Sequence, residues 1–89
     1  MSVFAILRVT EPAKLKAAIE NLYPDDFLDL GNNEWLVSDK GNAVIVSEKL
    51  GISNASNGLA IIISVSTYYG RAPTPIWDWI KSKLEASNG

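Results

Sequence analysis

One arginine set among four aromatic rings is the strongest chemical constellation in this chain. The stretch reads Tyr68-Tyr69-Gly70-Arg71-Ala72-Pro73-Thr74-Pro75-Ile76-Trp77-Asp78-Trp79. Arginine next to the free N–H groups of a starting helix can hold a phosphate or a carboxylate, and flanking rings can stack a planar group. Arg71, Tyr68, Tyr69 and Trp79 are therefore the candidate ligand-binding residues. The plainer reading is structural. Tyr and Trp supply a small core with its largest burial, Arg71 can lie over a ring, and glycine and proline turn the chain.

Three weaker groups follow. Asp25, Asp26, Asp29 and Glu34 lie around a turn and could offer oxygen ligands to a divalent cation. They lack the spacing of a calcium loop, so solvated turn and edge-strand charges explain them as well. Asp39-Lys40-Gly41-Asn42 precedes a helical stretch but lacks a phosphate-loop pattern; Asp39 reads as a helix cap. Arg8 and Glu11 stand where the first strand leaves the sheet and suit a salt bridge.

What is missing narrows the chemistry further. The chain has no cysteine and no histidine. Disulfides, thiol nucleophiles, the usual zinc sites and Ser-His-Asp or Cys-His catalysis are all excluded. No catalytic residue, metal ligand or cofactor is assigned. The formal net charge is −2, without the basic excess of a sequence-independent nucleic-acid binder. The first residues lack a basic leader, and no apolar run reaches membrane-spanning length. The expected location is the cytoplasm of a bacterial or phage-infected cell.

Eighty-nine residues, 47% of them hydrophobic and 20% charged, imply a single domain over 1–89. A chain of this length buries roughly 60–65% of its extended surface, enough for one core. Val3 to Val9 is apolar on both faces and reads as a central strand. Thr10 and Pro12 open a helix to about residue 22, with Leu15, Ala18, Ile19 and Leu22 on one stripe. Phe27 to Leu30 and Glu34 to Ser38 are strands joined through Gly31-Asn32-Asn33, a hairpin signal. Ser38 or Asp39 caps a helix over 40–50, closed by a left-handed Gly51 and a contact from Ile52. The β-branched run at 43–46 makes a strand the rival there. Residues 59 to 68 form the last strand. Thr74 and Pro75 open a closing helix that buries Trp77, Ile80 and Leu84 and leaves Lys81, Lys83 and Glu85 in solvent.

The order β-α-β-β-α-β-α predicts an α+β fold: a ferredoxin-like βαββαβ antiparallel sheet in the order 4-1-3-2, with an additional C-terminal helix. Two helices cover one sheet face. In one of the two alternation registers Phe4, Ile6, Ala60 and Ile62 lie on the other, which either the closing helix or a second subunit must cover. A homodimer is expected.

Trp35-Leu36-Val37-Ser38-Asp39 leading into a helix, and the tryptophan helix Ile76-Trp77-Asp78-Trp79-Ile80-Lys81, resemble the small bacterial and phage proteins of the uncharacterised SinR family. These are similar in turn to the CRISPR-associated integration scaffold and the virulence-associated protein D group. The resemblance implies a ferredoxin-like fold, homodimers and, in some members, metal-dependent nuclease chemistry. Those groups carry an aspartate just after the first strand. This chain has Arg8-Val9-Thr10-Glu11 there, so no catalytic residue is carried over.

Two readings follow. The preferred one is a non-enzymatic dimeric module that binds a small partner, such as an anionic ligand, or binds and regulates another protein. The alternative is a metal-dependent nuclease or nucleotide-binding protein acting through Glu11 or the acidic hairpin.

Overall fold

The computed structural model describes residues 2–10, 13–67 and 69–86, the last two as backbone only. The elements are β1 Ser2–Arg8, α1 Ala13–Leu22, β2 Phe27–Gly31, β3 Glu34–Asp39, α2 Ala43–Lys49, β4 Ala60–Ser64 and α3 Thr74–Ala86. Glu11 and Pro12, expected to open α1, lie outside the described residues. The hydroxyl of Thr10 accepts from the backbone N–H of Leu59 at 2.9 Å, tying the end of β1 to the start of β4.

The four strands form one antiparallel sheet in the order β2-β3-β1-β4. Counted from the β4 edge this is 4-1-3-2. β2 and β3 are joined by Asn32 and Asn33, both at positive φ (52° and 59°). That pair of left-handed residues matches the twist of the strands it connects. Asp29 steadies the turn by accepting from the Gly31 N–H at 2.7 Å.

Strand register decides the two faces. Phe4, Ile6, Trp35 and Val37 point to one side and pack with Leu15, Ile19, Val46, Leu50 and Ile52; Ala60 and Ile62 join from β4. This is the main core, beneath α1 and α2. Val3, Leu36 and Ile80 anchor a second, smaller core with Ala5, Leu28, Ile76, Trp77, Trp79 and Leu84. So the face assignment expected from sequence is reversed. Phe4, Ile6, Ala60 and Ile62 lie under α1 and α2, and α3 folds across the opposite face. Alternation alone fixes which residues share a face, but not which face a helix selects.

Two boundaries also move. β4 stops at Ser64 and does not reach residue 68. α2 begins at Ala43, not near residue 40, because Asn42 is its cap: the Asn42 side chain accepts from the Ile45 N–H at 3.0 Å. The β-branched run at 43–46 is helical, held by caps at both ends. Gly51 sits at φ 72°, and the Ile52 N–H returns to the Ser47 carbonyl at 2.9 Å, closing the helix as expected. In α1, Leu22 is exposed and Tyr23 takes its place in the core. Trp35 is buried while its indole N–H has no partner among the described residues. A ring of this size gains more from burial than the roughly 1–3 kcal/mol an unpaired donor costs.

Candidate functional site

The chain leaves β4, turns through Gly70 and enters α3, and a groove of about 350 Å³ opens along that path. Tyr69, Gly70, Trp77, Asp78 and Lys81 line it. Local structure places each of them. Pro73 accepts from the Ile76 N–H at 3.0 Å, and Ala72 accepts from the Trp77 indole N–H at 3.1 Å. The second bond fixes the Trp77 ring against the incoming loop. Gly70, at φ 152°, takes a conformation few side chains tolerate. A Cβ there would meet the Trp77 ring at 3.9 Å, an ordinary contact, so it is the backbone conformation and not lack of space that favours glycine.

Trp77 is half-buried, which corrects its expected full burial; its outer face forms a groove wall. Tyr69 is the opposite case, a large ring left wholly in solvent beside that wall. Asp78 and Lys81, one helical turn apart, place opposite charges at the rim. Arg71 is exposed, next in chain to Gly70, and is not among the groove-lining residues. Trp79 points to the sheet side of α3, where it joins the second core and lies under the Lys83 ammonium, 5.9 Å from the ring centre. Tyr68 lies outside the described residues. Of the four candidate binding residues, the fold thus brings Tyr69 to the groove, puts Arg71 beside it and turns Trp79 away.

Lys83 was expected in solvent. Instead its ammonium bonds the Asp26 carboxylate at 2.7 Å and the Asp25 carbonyl at 3.2 Å, fastening α3 to the turn before β2. The side chain of Glu85 lies outside the described residues, as does Glu11, the expected partner of Arg8. The acidic group does not converge: Asp26 is held by Lys83, Asp29 by its own turn, and no set of three or more carboxylates is placed to hold a metal among the described residues.

A second polar cluster was not visible in the sequence. Asp39, only 5% exposed at the end of β3, accepts from the Tyr23 hydroxyl at 2.7 Å, the Gly41 N–H at 2.7 Å and the Lys49 ammonium at 3.0 Å. It is not the helix cap expected from its position; it joins α1, β3 and α2. Burial alone would raise its pKa. The Gly41, Tyr23 and Lys49 donors outweigh that and hold the carboxyl below its ordinary value. Tyr23 moves upward, first through burial and then through the bond to Asp39 and its charge. A cavity of about 250 Å³ adjoins the cluster, but both carboxylate oxygens are occupied by protein donors. The arrangement suits a structural stitch. The signal that could have exposed it is a Tyr, an Asp and a Lys at the ends of α1, β3 and α2.

Comparisons with family models, curated proteins and solved structures give no match.

Proposed function

We propose that the protein is a small, non-enzymatic binding module with a ferredoxin-like fold, working as a homodimer in the cytoplasm. Its ligand is a planar aromatic anion, stacked between Tyr69 and Trp77. The observation that carries this reading is the fully exposed Tyr69 ring beside the Trp77-walled groove of about 350 Å³. A solvent-facing ring next to a second ring is a stacking platform, and the volume lies within the range of small-molecule sites. Lys81 at the rim and Arg71 beside it supply positive charge for an anionic substituent. The neighbouring Asp78 limits that charge, so stacking contributes more than ion pairing. No helix among the described residues is long and apolar enough to cross a membrane.

The test is a fluorescence titration with naphthalene-1-sulfonate, a planar aromatic anion. Binding should change the tryptophan emission. Tyr69→Ala should weaken it by about tenfold or more, and Arg71→Ala by about threefold, with unfolding midpoints unchanged. Equal affinity in wild type and Tyr69→Ala would sink the groove as the site.

A further inference from the structure

We infer that the free edge of β4 is the surface through which two copies of this chain associate, pairing antiparallel about a two-fold axis at Ile62. The inference rests on the dimeric part of the reading above and not on the groove. β4 is the outer strand of the sheet, and its register with β1 runs unbroken from Ala60 to Ser64. The Val9 N–H bonds the Leu59 carbonyl and the Val65 N–H bonds the Val3 carbonyl. In an antiparallel ladder hydrogen-bonded and non-bonded pairs alternate, so residues 59, 61, 63 and 65 face β1. The backbone groups of Ala60, Ile62 and Ser64 therefore point outward from the sheet.

A dyad at Ile62 satisfies all of them. Ile62 would pair with its own copy, and Ala60 with Ser64 of the other chain, each pair exchanging both bonds. The same register sets Ile61 opposite Ile63 of the second copy as a non-bonded pair, where side chains come closest. Both isoleucines are half in solvent, 55% and 47% exposed. They lie on the face opposite α1 and α2, flanked by exposed Val9 and Leu59. On the other face, exposed Val44 of α2 stands beside Ala60 and Ile62 at the same edge.

The self-complementary register points to a second copy as the occupant, and charge does not oppose it. Residues 51–70 contain no charged side chain, so two copies meet there without like-charge repulsion. The opposite edge is defended: β2 carries Asp29 and a register break between Asp29 and Gly31. A charge and a bulge are the usual guards of an edge strand, and β4 has neither. The exposed apolar area is on the order of 400 Å² per copy, giving an interface of roughly 800 Å², in the range of weak, transient association. That extent fits a reversible dimer.

Sedimentation of the full chain between about 1 µM and 1 mM should show the mass rising from 9.7 kDa toward twice that value. Ile61→Lys combined with Ile63→Lys should move the midpoint at least about tenfold higher, with circular dichroism unchanged because both side chains are already exposed. Amide exchange reads the register without any variant. The amides of Ala60, Ile62 and Ser64 should gain protection as concentration rises, while those of Ile61 and Ile63 stay protected throughout. Should the double variant lose its fold, this exchange pattern decides. A mass of 9.7 kDa at every concentration overturns both the dimer and this edge. A dimer whose edge amides exchange freely, or one that survives the folded double variant unchanged, overturns the edge alone. Neither result bears on the groove titration.

Discussion

Asp39 ties its stability contribution to pH in a definite direction. Its folded pKa lies below the unfolded value, so its contribution is present above the ordinary carboxylate range and is lost as pH falls through the folded pKa. Tyr23 has the opposite limb. Its folded pKa is raised, so its contribution is complete below the ordinary tyrosine value near 10 and is lost as pH rises through the folded pKa. Tyr23→Phe keeps the packing but takes one donor from a buried carboxylate. It should cost about 1–2 kcal/mol at neutral pH and flatten the alkaline limb in urea titrations run at several pH values. Asp39→Asn should flatten the acid limb instead. Little of this was legible in the sequence. Asp39 stands in a setting typical of a helix cap, and only the folded chain shows Asn42 taking that task while Tyr23 and Lys49 converge from either side.

At the scale of elements, α3 docks through buried Ile80, with Ile76, Trp77, Trp79 and Leu84 packed around it, and through the Lys83–Asp26 ion pair. Ile80 is buried against Val3 and Leu36, whereas Trp77 keeps a face in the groove. Ile80→Ala should therefore cost about 2–4 kcal/mol, and Trp77→Ala less, about 1–2 kcal/mol despite its larger ring. Chemical denaturation of the two variants checks the order. Lys83→Ala removes a partly exposed pair with Asp26 and should cost no more than about 1 kcal/mol. Helix and strand identities were readable from periodicity and caps. Gly51 and the Asn32-Asn33 turn are cases where local backbone chemistry leaves few options. The choice of face was not readable. β1 is apolar on both sides, and its alternation gives two equivalent patterns until the helices pack.

The whole molecule is a sheet covered unequally. α1 and α2 seal one face, and α3 seals the end of the other around Val3 and Leu36, leaving Ile61 and Ile63 in solvent. A chain ended at residue 73 would uncover Val3, Leu28 and Leu36 together. It should form large, heterogeneous assemblies in light scattering, where the full chain gives discrete species. A single small species from that shortened chain would show that α3 is dispensable as a cover.

β1 is the first strand in the chain, yet it lies at the centre of the sheet, with Phe4 between Val37 and Ser64. Its two neighbours are both remote in sequence; among the described residues, β2 and β3 are the only sheet partners joined by a tight turn. During synthesis the chain grows at about 5–20 residues per second, so β1 waits several seconds before β4 can exist. Through that interval Val3, Phe4 and Ile6 have no complete sheet to enter. Closing so large a loop before any of its contacts contribute also slows folding. The molecule should fold late and in one step once β4 has cleared the ribosome. Arrest of translation between residues 50 and 60 should accordingly yield nascent chains that a protease still cuts within β1.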